Sequence, residues 1–433
     1  MKKARVFVAV LMLALVMSGC SMRISSSIDD LISPISPMGD NADIKEAMDA
    51  FAVKGYSLKT PNKGNYITAY NFVDLDGDGA DEAVAFYEPS DNLGTVCMAV
   101  IKKSDDEWKV LESIKGLGAD VSSLDFQDVT GDGRNEFIVC WDTITNSSNH
   151  ELAVYSYNPD ATEKRLRRFY SGVTVNNYIA VDMTGDRCKE LLLFELNSGI
   201  YSRAKAELYS LRDKNVRLLG ETKLDAHITS YVSLRVEETD GGRRVYADAL
   251  GTNGASMLTE LIYWSDTYNT IISPFYSYST GVTSGTTRSI PISSRDINGD
   301  KRIEIPRDKE LDKLPKAVSC TEWRVYKNTT LIHTDYSVSP KDDGYLVIIP
   351  DRYIDDIRVK YDAKQREMTV ISKKDKKPAF TVRTVLKANY SRSKYSGYEI
   401  MAEDKGYCYL AKVGDSKEMK ITTDELKSLI NIK

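Results

Sequence analysis

From residue 66 onward the polar and apolar positions of this 433-residue chain repeat one layout. A strand-like run leads into an acidic turn, a nearly continuous apolar run follows, and two further strand-like runs complete the period. In the second period these runs are Val121–Phe126, Glu136–Trp141, Glu151–Tyr157 and Arg165–Ser171. The runs after the acidic turns, Ala83 to Phe86, Phe137 to Trp141 and Leu191 to Phe194, lack the alternation of a strand covered on one side. They predict strands buried on both faces. Stacked four-stranded sheets arranged radially meet that demand, so the pattern predicts a mainly β, propeller-like repeat domain with five readable four-stranded blades.

Ahead of the repeats, Ile44, Ala47, Met48 and Phe51 share one helical face, with Asp43 and Glu46 as a capping pair. Tyr56–Thr60 and Tyr66–Val73 read as strands, and Tyr56–Thr60 is expected to close the ring by joining the last sheet. After residue 337 the pattern changes. Tyr345–Pro350 reads as a strand; Glu367–Ser372 with Pro378–Leu386, and Tyr398–Ala402 with Tyr407–Val413, read as hairpins. A helix from Thr423 to Asn431 has Thr422 and Glu425 as a capping box. The expected organisation is a repeat domain over residues 42–337 and a small α+β domain over 338–433, with two further degenerate blades as the competing reading of the latter.

The acidic turns carry the candidate chemistry. In the first, Asp74, Asp76 and Asp78 offer side-chain oxygens, Ala80 a carbonyl and Glu82 a closing carboxylate, while Gly77 and Gly79 allow a tight turn. Alternate oxygen donors in a glycine-bearing loop suit a hard cation such as Ca²⁺. The corresponding sets are Asp128, Thr130, Asp132, Arg134 and Glu136; Asp182, Thr184, Asp186, Cys188 and Glu190; and Asp296, Asn298, Asp300, Arg302 and Glu304. Loop starts at 74, 128, 182 and 296 leave room for one degenerate copy, which falls at the plain turn Val236–Gly242. An EF-hand would need glutamate at the twelfth position, where Ala85, Val139, Leu193 and Arg307 stand instead. Ligand charge and ease of turning rank the loops one, two, four, three, because Arg187 and Lys301 replace the sixth-position glycine. Asp, Asn and Gly also favour turns on their own account. Carboxylates gathered without a cation would repel, however, so the expected metal is a structural staple between strands.

The first twenty residues change the address. Lys2, Lys3 and Arg5 precede an apolar stretch from Val6 to Met17 that is too short to span a bilayer as a helix. It ends Val16-Met17-Ser18-Gly19-Cys20, which resembles the lipobox of bacterial lipoproteins. That resemblance implies a signal peptide over residues 1–19, cleavage before Cys20, and a diacylglycerol-bearing Cys20 anchoring the chain at the extracytoplasmic face of the membrane. Residues 20–41 then form a lipidated, Ser/Pro-rich tether, whose residues 21–40 reach roughly 25 Å. Cleavage removes three of 58 basic residues and none of 63 acidic ones, moving the net charge from −5 to −8. This argues against nucleic acid as a partner. Cys97, Cys140, Cys188, Cys320 and Cys408 show no CxxC spacing and fit neither a disulfide framework nor a zinc site, although one pair could bridge.

The loops resemble the calcium-binding FG-GAP or VCBS-type repeats of integrin-like β-propellers. In that family the loop joins the first two strands of a blade and its oxygens hold Ca²⁺. The lipobox, tether, helix, repeats and C-terminal tail together look like bacterial VCBS-repeat lipoproteins. For function, HExxH, GxSxG and GxxxxGK[ST] motifs are missing, and His150, His227 and His333 are linked by no motif to a nucleophile. The expected role is a non-enzymatic interaction platform for an extracellular protein or carbohydrate. A hydrolase of extracellular glycan or peptide, and a component of a larger envelope complex, are the alternatives.

Overall fold

The computed structural model describes residues 40–142, 149–196, 204–240, 242–254 and 256–433. Cys20, the apolar leader and the tether up to residue 39 lie outside them. Helix α1 (Asp40–Phe51) precedes a first sheet of β1 (Tyr56–Lys59), β2 (Tyr70–Val73), β3 (Glu82–Pro89), β4 (Cys97–Ser104) and β5 (Glu107–Lys115). The second sheet is β6 (Asp120–Gln127), β7 (Glu136–Asp142), β8 (His150–Tyr157) and β9 (Leu166–Val175). The third is β10 (Asn177–Val181), β11 (Glu190–Glu195), β12 (Ala204–Ser210) and β13 (Arg217–Leu224). The fourth is β14 (Ser230–Thr239), β15 (Gly242–Leu250), β16 (Met257–Ser265) and β17 (Thr270–Ile272). Sheets two to four are antiparallel meanders in strict chain order, and the degenerate fourth turn joins β14 to β15 as the sequence suggests.

A short hairpin, β18 (Tyr276–Ser277) and β19 (Val282–Thr283), leads to the fifth sheet. That sheet contains β20 (Glu304–Asp308), β21 (Val318–Lys327), β22 (Thr330–Pro340) and β23 (Tyr345–Ile349). The sixth contains β24 (Ile357–Asp362), β25 (Glu367–Ser372), β26 (Pro378–Leu386), β27 (Glu399–Glu403) and β28 (Tyr407–Val413). Its order, β24-β25-β26-β28-β27, departs from a meander. Helix α2 (Thr423–Leu429) follows, held by the expected capping box of Thr422 and Glu425. It stops two residues short of Asn431 because β29 (Ile430–Ile432) pairs with β23 and so returns to the fifth sheet. Residue 337, where the sequence changes character, lies inside β22.

Burial on both faces of the central strands follows their composition. Val84 and Phe86 of β3 meet Phe137, Val139 and Trp141 of β7 between sheets one and two. The other face of β7, Ile138 and Cys140, packs with Leu191 and Leu193 of β11. Leu192 and Phe194 then face Val245, Ala247 and Ala249 of β15. Tyr246 and Leu261 meet Ile305 and Tyr326 of sheet five, and Val338, Tyr345 and Val347 pack with Met368, Val370 and Phe380 of sheet six. Each fully buried aliphatic or aromatic side chain contributes about 1.5–3 kcal/mol. Among the described residues no apolar cluster joins sheet one to sheet six. The free face of sheet one, Ala83, Ala85, Tyr87, Ala99 and Ile101, is covered by Ile44 and Met48 of α1. On sheet six, Val385, Cys408 and Leu410 lie under Tyr390, Tyr395 and Tyr398.

Three expectations are corrected. Tyr56–Lys59 joins the first sheet, not the last: β2 covers β3 only from Glu82 to Ala85, and β1 takes the remaining edge from Phe86 to Pro89. Backbone groups at a strand edge need partners, and β1 lies end to end with β2 to supply them. Asp43 and Glu46 do not cap the helix, which already includes Asp40. The strand read from Tyr66 begins at Tyr70, because the Asn71 amide donates to the Thr68 carbonyl and holds a turn there. All five described cysteines are free thiols.

Met48 is fully buried between α1 and sheet one, so Met48→Asp should detach the helix and uncover the apolar face of that sheet. Apolar-dye fluorescence and the elution volume on size exclusion would report this as strong dye binding and self-association. Parent-like values for both would show that α1 is not the cover.

Candidate cation-binding loops

The first three acidic loops join β2 to β3, β6 to β7 and β10 to β11, closed by the pairs Val73 with Glu82, Gln127 with Glu136 and Val181 with Glu190, and the fourth leads into β20, closed by an isolated bridge of Arg295 with Glu304. All four share one hydrogen-bond frame. The first aspartate accepts from the amides of the fourth and sixth residues: Gly77 and Gly79 to Asp74 at 2.7 and 3.0 Å, Gly131 and Gly133 to Asp128 at 2.7 and 2.9 Å. Gly185 and Arg187 donate to Asp182 at 2.7 and 3.0 Å, and Gly299 and Lys301 to Asp296 at 2.7 and 2.9 Å. The fifth-position aspartates Asp78, Asp132, Asp186 and Asp300 accept from the amides of Ala80, Arg134, Cys188 and Arg302 at 2.8–3.0 Å. The sixth residue has a positive φ in every copy: 86° at Gly79, 84° at Gly133, 72° at Arg187 and 68° at Lys301. At the last two, a side chain occupies a conformation that costs about 1–2 kcal/mol.

The ninth residue is the hub. One oxygen of each glutamate accepts the amide of the loop's second residue: Leu75, Val129, Met183 and Ile297, at 2.9, 3.2, 2.8 and 3.0 Å. The second oxygen has a different fate in each copy. In loop one, Lys102 Nζ reaches Glu82 Oε1 at 2.7 Å. In loops two and three the third-position hydroxyls donate, Thr130 to Glu136 at 3.3 Å and Thr184 to Glu190 at 2.9 Å. In loop four Asn298 turns its amide to Asp335 at 3.1 Å, and Glu304 Oε1, buried, has no partner.

Charge divides the loops differently, setting one and three apart from two and four. Lys102 also bonds Asp76 and Asp78 at 2.6 and 2.7 Å. In loop three Arg243 pairs with Asp182 at 2.8 Å and Arg212 with Asp186 at 3.0 Å. Loop two has only Lys214, 3.9 Å from Asp132, and among the described residues no ion pair reaches Asp296, Asp300 or Glu304. Carboxylate oxygens accordingly gather within 4.8 Å of one another at Asp74, Asp76 and Asp78 and at Asp182, Asp186 and Glu190, where the chain supplies its own cations. Where it does not, the ninth carboxyl takes up a proton more readily. Burial, then the charges of Asp132 and Asp128, push Glu136 up to about 7. Burial, then Asp300 and Asp296, push Glu304 up to about 8. A cation at these loops would reverse the second cause and compensate the first. The donor set is oxygen throughout, and Glu304 Oε1 is an unmet acceptor, so these residues fit a hard divalent ion.

The structure also assembles a cluster that the sequence does not reveal. On sheet two, His150 Nδ1 lies 2.6 Å from Asp142, while Nε2 lies 3.2 Å from Lys63 Nζ and 3.3 Å from Ser122 Oγ. An ammonium only donates, so Nε2 accepts and the ring proton sits on Nδ1, facing Asp142. Asn62 donates to Asp142 at 3.1 Å, and the amides of Asn62 and Lys63 bond the carbonyls of Val121 and Ser122. The cluster is a clasp that ties residues 62–63 to the bulged strand β6. The His227 ring lies 2.9 Å from its near neighbour Asp225, and His333 pairs with Asp351 at 3.1 Å.

No family model matches this chain, and no curated protein does. Among the solved structures similar to it are two with a low-level likeness. Sqt1 of Saccharomyces cerevisiae is 12% identical with a TM-score of 0.32, over 69% of this chain and 83% of that one. A hypothetical selenium-binding protein of Sulfolobus tokodaii is 11% identical with a TM-score of 0.30, over 48% of this chain and 54% of that one.

Two outcomes follow from this geometry. Lys301→Gly should relieve the left-handed backbone and raise stability by about 1 kcal/mol, read as a higher denaturant midpoint at unchanged slope; a lower midpoint would contradict it. For His150, burial first and the Lys63 charge second hold the ring below its ordinary 6.5, against the pull of Asp142. The unfolded chain binds a proton there that the folded chain refuses, so stability falls as pH drops through 6.5 and below. His150→Asn should show a shallower loss between pH 7.5 and 5.5 in urea titrations, and an unchanged slope would remove His150 from the account.

Proposed function

We propose that this chain is a lipid-anchored, extracytoplasmic calcium-binding protein whose propeller-like array of sheets is a non-enzymatic platform for an extracellular protein or carbohydrate. The observation that carries the calcium reading is Glu304, whose buried second oxygen lacks a partner inside a loop of oxygen donors. Loop two belongs with it, because its nearest cation is Lys214, 3.9 Å from Asp132, whereas Lys102 fills loop one and Arg243 and Arg212 pair with Asp182 and Asp186 of loop three. Asp128, Asp132 and Glu136, and Asp296, Asn298, Asp300 and Glu304, are the residues that would hold the ions. The bound ion is a structural staple: it neutralises the hub where each hairpin opens and so ties the first strand of a repeat to the second. The lipid anchor rests on the residues leading into Cys20.

The runner-up reading, a hydrolase, draws on the alignment of Asp142, His150 and Ser122. Ser122 is only 2% exposed and Lys63 donates to the same ring nitrogen, so the hydroxyl is placed to brace the clasp rather than to attack a substrate.

Calcium at 100 times its dissociation constant adds about 2.7 kcal/mol per site. Millimolar calcium should therefore raise the melting temperature well above that in chelator. Asp132→Asn and Asp300→Asn, which keep the loop's amide acceptor and remove its charge, should each abolish about half of that increment and leave the chelator melt unchanged. Identical melts of the parent with and without calcium would refute the reading.

A further inference from the structure

The strand after the one that the ninth glutamate opens passes beside each acidic loop, and the residue it places opposite that glutamate differs from loop to loop. Pairing of Ala83 with Ile101 sets Lys102 opposite Glu82; pairing of Phe137 with Tyr155 sets Ser156 opposite Glu136. Leu191 with Tyr209 sets Ser210 opposite Glu190, and Glu304 faces Val325 directly. Only the first repeat has a cation at this place. Its ammonium bonds one oxygen each of Asp76, Asp78 and Glu82, at 2.6, 2.7 and 2.7 Å. Three donors thus meet three carboxylates, the full capacity of a lysine. The side chain is 22% exposed and Glu82 not at all, so the cation is held well inside the loop.

We propose that Lys102 is the resident cation of loop one, occupying the place that calcium takes in loops two and four and keeping divalent ions out. The inference rests on the calcium reading above, and it changes what that reading predicts. Loop one has the most carboxylates of the four, yet it is the loop that stays closed to calcium. The three short bonds to Asp76, Asp78 and Glu82 match the ammonium to the carboxylates of the loop. Entry of a divalent ion would require this group to leave its three partners, because an ammonium and a calcium ion cannot share the same oxygens without severe repulsion. The first hairpin, which adjoins α1 and begins the stack, is then pinned irrespective of calcium.

The test is a calorimetric titration of the full chain in detergent with calcium chloride, alongside Lys102→Met and Lys102→Arg. The expected result is two sites in the parent, three in Lys102→Met and two in Lys102→Arg, which keeps the charge. Lys102→Met should also melt lower than the parent in chelator and recover in millimolar calcium, a readout that holds if the variant folds only with the ion. No gain of a site in Lys102→Met overturns the inference whatever the parent binds. A parent that binds no calcium while Lys102→Met binds one ion supports the resident lysine and refutes the calcium reading of loops two and four.

Discussion

One buried carboxylate per repeat governs how the hairpins are held. Glu82, Glu136, Glu190 and Glu304 stand at the base of their loops, each no more than 2% exposed, and each spends one oxygen on the amide that fixes the loop's entry. A buried carboxylate oxygen without a partner is costly, so the second oxygen sets the demand. The chain answers it with an ammonium in loop one and with hydroxyls in loops two and three, and leaves it open in loop four. The same frame of amide bonds therefore supports four electrostatic situations. Calcium, where it is proposed, completes a frame that is already folded.

Stacking depends on those hairpins. Because the second strand of each repeat is apolar on both sides, a sheet cannot stand alone, and each buries its faces against the sheets before and after it in the chain. The described residues form a series of six sheets whose two outer faces are covered by other parts of the chain, α1 at one end and the segment around Tyr390 and Tyr395 at the other. Among the described residues no apolar cluster closes that series into a ring, and the first and last sheets are covered independently. The final strand β29, returning to β23, couples the C-terminal segment to the fifth sheet instead of leaving it as a separate appendage.

Much of this was legible in the residues themselves. The acidic loops, the double-faced strands after them, the degenerate turn at Thr239 to Gly242 and the capping box of α2 all follow from local chemistry and spacing. What stayed hidden depended on partners distant in sequence. Tyr56–Lys59 looks like any short strand, and its place on β3 follows only from the edge that β2 leaves bare. Lys102 reads as an ordinary polar residue at a strand end until register sets it opposite Glu82. Asn298 is a good oxygen donor by type, yet its amide turns to Asp335 and leaves Glu304 unsatisfied. Ser122, His150, Asp142 and Lys63 are separated by up to 87 residues and have no motif in common.

In the proposed arrangement the ninth glutamates of loops two and four are completed by a divalent ion, and that of loop one by Lys102. Anomalous diffraction from crystals grown in millimolar calcium tests it most directly. Density should lie beside Glu136 and Glu304, with Lys102 still bonded to Asp76, Asp78 and Glu82. Empty second and fourth loops, or an ion in loop one with Lys102 turned away, would contradict the account.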